Sequence, residues 1–166
     1  MNAQAIIALG ANLPSEVGAP AQTLRSALNR LAGRVNVRAV SRFYATPAFP
    51  PSDQPPFVNA AALIETALSP HALLDLCLDT EAAFGRERRV SWGPRTLDLD
   101  LIDYGGLVLR EERLTLPHPS ASSRDFVLVP IRDIAPAWRH PGTGEEIGQL
   151  LEKLGVRGLA LALEMD

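Results

Sequence analysis

An α+β fold, in which helices pack on an antiparallel sheet, is predicted by three features of this 166-residue sequence. Short apolar runs that suit strands alternate with segments of helical periodicity. Their order is strand, helix, strand, strand, helix, strand, which is the order of a ferredoxin-like sandwich. The length suits one core, and no repeat or linker divides the chain, so we expect a single domain over residues 1–166.

The first half of the chain predicts two strands, a helix and a loop. Ala5 to Leu9 is a short apolar run and predicts the first strand. Residues 20–31 carry alanine and leucine at helical spacing and predict the first helix. Residues 35–44 are rich in β-forming side chains and predict the second strand. Residues 45–56 contain five prolines, which neither a helix nor a central strand tolerates, and they predict a loop.

The second half repeats the pattern. Phe57 to Thr66 predicts a strand, and Ser69 followed by Pro70 is a typical N-cap and first residue of a helix that should run to Phe84. A second loop is expected over residues 86–94.

The last part of the chain begins with its clearest strand pattern, Thr96 to Tyr104. The glycine pair 105–106 predicts a turn into a hairpin return over residues 107–109. Short helices are expected near residues 127–134 and 147–154.

The composition favours a small ligand over nucleic acid or a membrane. A net charge of −3 gives no reason to expect nucleic-acid binding, and no apolar run approaches the roughly 20 residues that span a bilayer. The single cysteine, Cys77, excludes an intrachain disulfide and a cysteine metal cluster. The N-terminus lacks the positive region of a secretory signal, so we expect a cytoplasmic protein, and we expect a monomer.

Arginine carries almost all of the positive charge, because Lys153 is the only lysine. A P-loop is therefore excluded. A local arginine cluster suits phosphate oxygens, although a solvated surface run is the more usual interpretation of such a cluster on composition alone. The cluster consists of Arg86, Arg88, Arg89 and Arg95.

Two aspartates in the strand pattern predict a metal site. Side chains alternate along a strand, so Leu97, Leu99 and Leu101 should face the core while Asp98 and Asp100 share the other face. Two carboxylates on one face repel each other unless a cation lies between them, and Mg²⁺ commonly takes one or two carboxylates together with phosphate oxygens. A bare Asp-x-Asp pair is usually only a solvated strand face, but here it follows a Gly-Pro turn and an arginine-rich loop. By the same alternation, Asp103 should point to the buried side as a structural carboxylate.

Three segments together resemble the 6-hydroxymethyl-7,8-dihydropterin pyrophosphokinase family. They are Trp92 to Asp100, residues 9–13 (Leu-Gly-Ala-Asn-Leu) and residues 117–119 (Pro-His-Pro). The similarity extends from Ile6 to about Leu151. The resemblance implies a ferredoxin-like enzyme of folate synthesis that uses ATP, two Mg²⁺ ions and a reduced pterin.

Carried over residue by residue, the resemblance implies the following roles. Asp98 and Asp100 would hold both metal ions, and Arg86 and Arg95 would stabilise the transferred diphosphate as catalytic residues. The positions that match nucleotide contacts are Glu81, Arg86, Arg88, Arg95, Leu101, Arg113, Thr115, His118 and Arg124. The positions that match the pterin pocket are Thr46, Pro47, Phe49, Phe57, Asn59, Trp92 and Phe126.

Two other functions stay open from the sequence. The first is a different two-metal enzyme, such as a nucleotidyl or glycosyl transferase, which would release pyrophosphate or a nucleoside diphosphate instead of AMP. The second is a non-catalytic ferredoxin-like module that binds a small metabolite, which would form no product.

Overall fold

The computed structural model of the chain describes residues 2–46, 55–85, 96–155 and 160–161. The strands within these ranges are β1 (Ala3–Ala11), β2 (Asn36–Val40), β3 (Tyr44–Thr46), β4 (Phe57–Thr66), β5 (Asp98–Tyr104), β6 (Leu109–Arg110), β7 (Thr115–Leu116) and β8 (Ala160–Leu161). The helices are α1 (Pro20–Ala32), α2 (Pro70–Ala83), α3 (Asp125–Ile134) and α4 (Ile147–Leu154), with a short 3₁₀ helix at Ala121–Ser123.

The main sheet has six strands in the order β5-β1-β4-β3-β8, and β2 also pairs with β4. The pairings of β1 with β4 and β5, and of β4 with β2 and β3, are all antiparallel. This arrangement confirms the predicted α+β fold and places the first, third and fourth predicted strands side by side.

The sheet separates two hydrophobic cores. Alternate residues of β1 and β5, such as Leu9 and Leu99, pack with α1 and α2 on one face. Ile6 and Ile102 pack with α3 and α4 on the other face. We call these the first core and the second core.

The predicted helices agree closely with the structure. Ser69 caps α2 by accepting a hydrogen bond from the backbone N–H of Ala72 at 3.1 Å, as its position before Pro70 predicts. Within the described part of the chain, no helix is long and apolar enough to span a membrane.

Two strand predictions need correction. The second predicted strand is divided into β2 and β3 at Ser41, whose hydroxyl accepts a hydrogen bond from the N–H of Ala61 at 2.8 Å. In addition, β3 includes Ala45 and Thr46, which the sequence assigns to the proline-rich loop.

The predicted hairpin return after Gly106 is wrong. Leu109 and Arg110 pair with Thr115 and Leu116 in a separate two-stranded sheet. β5 is paired with β1, and its Ile102 carbonyl accepts a hydrogen bond from the backbone N–H of His118 at 2.9 Å. The loop after β7, and not residues 107–109, therefore meets β5 there.

Candidate functional site

The two aspartates of β5 lie on the sheet face predicted for them. Leu97, Leu99 and Leu101 are buried in the first core, so Asp98 and Asp100 face the side on which α3 and α4 pack. Both carboxylates are partly exposed. The alternation of five residues along one strand thus separates the core from a polar surface.

A buried carboxylate beneath this strand fixes its backbone. Glu81 of α2 is only 2% exposed, and its Oε2 accepts a hydrogen bond from the N–H of Leu99 at 2.7 Å. Leu99 lies between Asp98 and Asp100, so this bond holds the segment that presents them. The expected contact of Glu81 with the nucleotide stays a prediction.

His118 reaches the same place from the loop after β7. Its backbone N–H donates to the carbonyl of Ile102 at 2.9 Å, and its Nε2 lies 3.9 Å from Oδ1 of Asp100. Burial and the Arg124 guanidinium lower the pKa of His118, against the opposing effect of Asp98. This lowered pKa favours the neutral form of the imidazole at pH 7.

The hydrogen bonds of His118 also assign its tautomer. Its Nδ1 accepts from the backbone N–H of Ser120 at 3.1 Å, so the neutral ring carries its proton on Nε2. A neutral N–H that faces the Asp100 carboxylate is suited to donate to an anionic oxygen bound there.

Arg124 and Phe126 stand at the start of α3. The Arg124 guanidinium carbon lies 5.6 Å from the centre of the Phe126 ring, over its face, and Phe126 packs at the margin of the second core. Because Arg124 also affects the pKa of His118, the cation and the imidazole belong to one electrostatic environment.

An amide lies across the sheet from the aspartates. Asp98 pairs with Gly10, Gly10 pairs with Asn59, and Asn59 pairs with Tyr44, so these four residues form one row on one face. Asn59 is buried and donates from Nδ2 to the hydroxyl of Thr46 at 2.6 Å. The structure therefore brings together a metal-type carboxylate pair and a fixed carboxamide.

Phe57 is on the same face as Asn59, two residues before it in β4, and is partly buried. Its position suits one wall of a flat pocket. The backbone entering β4 is held by Asn12, whose Nδ2 donates to the carbonyl of Pro55 at 3.0 Å.

The remaining described candidates lie on the α2 side of β5 or near it. Arg113 forms an ion pair with Asp75 of α2 and is exposed. Thr115 donates from its hydroxyl to the carbonyl of Glu111 at 3.3 Å. Leu101 is buried in the first core, so a nucleotide contact there would fall to its backbone.

Six predicted site residues lie outside the described part of the chain. Their roles therefore stay predictions from the sequence. They are Pro47, Phe49, Arg86, Arg88, Trp92 and Arg95.

Asp103 is buried and has a structural role, as predicted, but it lies on the face of the second core and not on the face of Leu97, Leu99 and Leu101. A register shift in the β1–β5 ladder pairs Asp103 with Ile6 of the second core. Its carboxylate accepts from Nε1 of the buried Trp138 at 2.9 Å and from the N–H of Gly106 at 3.1 Å. The extra residue in β5 reverses the alternation, a bulge that the sequence pattern does not reveal.

Two residues near the site escaped the sequence interpretation. In the sequence, Gly10 stands out only as part of the segment 9–13 that resembles the family. In the sheet it lies between Asp98 and Asn59. Among the described residues, the Thr96 hydroxyl is buried without a hydrogen-bond partner two positions before Asp98. Buried hydroxyls normally have a hydrogen-bond partner, so this one requires an explanation such as a catalytic role or a bound water or ion. Neither glycine nor threonine at these positions signals a role from residue type alone.

The donor set fits Mg²⁺. Asp98 and Asp100 offer hard oxygen ligands on one face, and Mg²⁺ binds through one or two carboxylates when phosphates and waters complete its coordination. The described residues contain no group of three or more acidic, histidine or cysteine side chains that could enclose a metal. The site therefore suits a metal that arrives with a phosphate ligand.

The chain is similar to a group of related enzymes. The sequence model of the 7,8-dihydro-6-hydroxymethylpterin-pyrophosphokinase family matches residues 6–136. A 2-amino-4-hydroxy-6-hydroxymethyldihydropteridine pyrophosphokinase of Methylorubrum extorquens is 43% identical over 149 residues, which are 89% of this chain and 93% of the relative. One from Haemophilus influenzae is 45% identical over 133 residues, covering 79% and 81% of the two chains.

Solved structures agree on the fold. Wild-type HPPK-DHPS of Plasmodium falciparum superposes with a TM-score of 0.70 at 13% identity, covering 92% of this chain and 41% of that one. At this identity the likeness bears on the architecture alone, and this chain corresponds to less than half of that longer protein.

Proposed function

Because the chain belongs to the 7,8-dihydro-6-hydroxymethylpterin-pyrophosphokinase family, we propose that its reaction takes place over β5 and β1, between Asp98, Asp100 and Asn59. The chain is a diphosphotransferase of folate biosynthesis. It transfers the β,γ-diphosphate of ATP to the hydroxymethyl group of 6-hydroxymethyl-7,8-dihydropterin. The hydroxymethyl oxygen bonds to the β-phosphorus and releases its proton to water, the bond from that phosphorus to the bridging oxygen of the α-phosphate breaks, and AMP leaves.

Asp98 and Asp100 are proposed to hold two Mg²⁺ ions with the phosphates of ATP. Bound metal would neutralise charge on the phosphate oxygens and orient both substrates. The proposal is supported by the shared face of the two carboxylates and by the bond from Leu99 to Glu81 that fixes the strand between them.

Cationic and neutral donors are proposed to complete the phosphate site. His118 presents a neutral Nε2–H beside Asp100, and Arg124 adds a positive charge nearby. Arg86 and Arg95 are proposed to stabilise charge on the transferred diphosphate, because phosphoryl transfer depends mainly on positioning and electrostatic stabilisation.

The pterin is proposed to lie between aromatic rings on the Asn59 side. Phe57 and Phe126 offer flat apolar faces, while the Asn59 carboxamide offers one acceptor and one donor to the edge of the heterocycle. The distance between Asn59 of β4 and Asp98 of β5 supports this placement, because two strand spacings of about 4.8 Å each separate these residues.

The observation that carries the assignment is the row in which Asp98, Gly10 and Asn59 lie on adjacent strands. In this row, the Asp98 carboxylate is suited to a phosphate-bound metal and the Asn59 carboxamide is suited to the edge of a heterocycle. One small substrate could span the distance between them.

The assignment is tested by Asp98→Asn and Asp100→Asn, with Asp79→Asn as a matched control on the exposed side of α2. AMP formation is measured with ATP, Mg²⁺ and the pterin, and thermal stability is measured with and without Mg²⁺ and ATP. Ligand at about 100 times its Kd stabilises a protein by about 2.7 kcal/mol, which is roughly 5–10 °C for a chain of this size.

We expect the wild type and Asp79→Asn to show both AMP formation and the thermal shift, and the two site variants to lose both with unchanged stability of the free protein. Activity like that of the wild type in either site variant would refute the metal assignment. Formation of ADP or pyrophosphate by the wild type would instead refute the reaction.

We further propose that residues 1–166 act as one pyrophosphokinase domain, as a cytoplasmic monomer that does not bind nucleic acid or a membrane. The two cores on opposite faces of a single sheet support one domain, and the net charge of −3 agrees with a small-molecule enzyme. Light scattering at assay concentration tests the monomer.

A further inference from the structure

Gly10 lies at a point of β1 where the backbone does not require glycine. The residue lies inside a regular ladder, paired with Asn59 on one side and Asp98 on the other, and it is not among the glycines with positive φ. Glycine inside a strand is unfavourable by roughly 0.5–1 kcal/mol relative to alanine. The presence of glycine at this position is therefore explained by a lack of room for a side chain, and not by the backbone conformation.

The space above Gly10 is taken by the Asn59 carboxamide. A Cβ added to Gly10 would lie 2.8 Å from Oδ1 of Asn59 and 3.8 Å from Cδ1 of Phe57. The first distance is shorter than real Cβ contacts, so the amide would have to move. Oδ1 thus lies over β1, toward the aspartates, only because position 10 has no side chain.

The amide cannot move away without breaking or reorienting a buried hydrogen bond. Its Nδ2 is held by the Thr46 hydroxyl at 2.6 Å, and Asn59 and Thr46 are 7% and 4% exposed. Withdrawal from position 10 would break this buried hydrogen bond or turn the amide about it. One contact therefore links the size of residue 10 to the direction of the Asn59 acceptor.

We propose that Gly10 is a specificity-determining residue for the pterin substrate. Its missing side chain lets Oδ1 of Asn59 lie low over β1, where it accepts hydrogen bonds from the N–H edge of a flat bicyclic heterocycle whose hydroxymethyl group reaches Asp98. The inference rests on the proposed function, since it assigns the occupant of the space between these two residues. It adds the reason why a side chain at position 10 weakens binding of that occupant, namely by displacing the Asn59 amide.

The test is Gly10→Ala, with Gly148→Ala of α4 as control, because a Cβ at Gly148 meets no atom within 4 Å. The KM for 6-hydroxymethyl-7,8-dihydropterin, the KM for ATP and kcat are measured from AMP formation. Loss of one well-placed hydrogen bond predicts a pterin KM about tenfold higher in Gly10→Ala. The KM for ATP should stay within about twofold, because its phosphates bind elsewhere.

The same substitution in an Asn59→Ala background shows whether the amide transmits the effect. With the carboxamide removed, Gly10→Ala should change the pterin KM by less than about twofold, which is the coupling expected of residues in contact. If Gly10→Ala alone fails to fold, the double variant is expected to fold, since the close contact is gone.

An unchanged pterin KM in Gly10→Ala, or an equal change in both backgrounds, would overturn the inference. A double variant that does not fold while Asn59→Ala does would overturn it as well. A wild-type protein that forms no pterin-dependent AMP would instead refute the proposed function, so the two failures are distinct.

Discussion

Glu81 offers a way to separate support of the site from contact with the nucleotide. The carboxylate is buried and holds the Leu99 N–H at 2.7 Å. Glu81→Ala removes this acceptor and leaves a small cavity beneath β5, whereas Glu81→Gln keeps an oxygen at the same reach. The two variants therefore differ mainly in whether the backbone between Asp98 and Asp100 remains held.

The magnitudes follow from burial. An unsatisfied buried N–H costs about 1–3 kcal/mol, and the truncated side chain adds a further cavity cost. We expect Glu81→Ala to lower the free energy of unfolding by about 3 kcal/mol, or roughly 6–12 °C in Tm. Glu81→Gln should lose less than about 1 kcal/mol, because it exchanges a charged acceptor for a neutral one.

Activity should follow the same order. Outer partners of metal ligands typically change activity by about 10–100-fold when removed, so kcat should fall within that range in Glu81→Ala and much less in Glu81→Gln. Urea unfolding and AMP formation are measured for both variants, with Glu152→Gln of α4 as an exposed control.

A different outcome would contradict this reasoning. If both variants are as stable as the wild type and share a raised KM for ATP, Glu81 acts by contacting the nucleotide and not by holding β5. Equal losses of stability in both variants would show that the charge, and not the acceptor at Leu99, is what matters.

Three further outcomes are expected elsewhere in the chain. Trp138→Phe removes the 2.9 Å donor to buried Asp103 and should cost about 2 kcal/mol in urea unfolding; a loss below about 0.5 kcal/mol would contradict this. Burial alone would raise the pKa of Asp133, but hydrogen bonds, chiefly from Arg42, hold it below its ordinary value. Stability from this group is therefore present above pH of about 4 and lost as pH falls further, and Asp133→Asn should flatten the stability curve measured between pH 2.5 and 5. Burial raises the pKa of Cys77 to about 12, so a thiol reagent at pH 8 should label it in urea but not in the native protein; rapid native labelling would show that it is accessible.

Local patterns in the sequence predicted most of the architecture. The N-cap at Ser69 and the alternation of leucine and aspartate in β5 depend on neighbours in the chain, and both are confirmed. The side of Asp103 could not be predicted, because one extra residue in the ladder reverses every later side chain. The hairpin after Gly106 failed for a related reason, since the choice of a pairing partner is tertiary.

The candidate site depends on contacts between distant residues. Asp98, Asn59 and His118 come from two strands and a loop, and only the family resemblance grouped them in advance. The importance of Gly10 rests on a distance to Asn59 that no spacing in the sequence contains. The residue types predicted the chemistry, whereas the register of the sheet determines which of these groups lie close together.

The pairing of β4 also determines when the site forms during synthesis. β1 and β2 do not pair with each other, and β4 is a partner of both. No ladder of the main sheet can form among these strands before residues 57–66 leave the ribosome. More than a third of the chain must therefore be synthesised before β1 can pair with β4. β5 joins β1 later still. A nascent chain stalled before Asp98 would carry the pterin side of the site without its metal side.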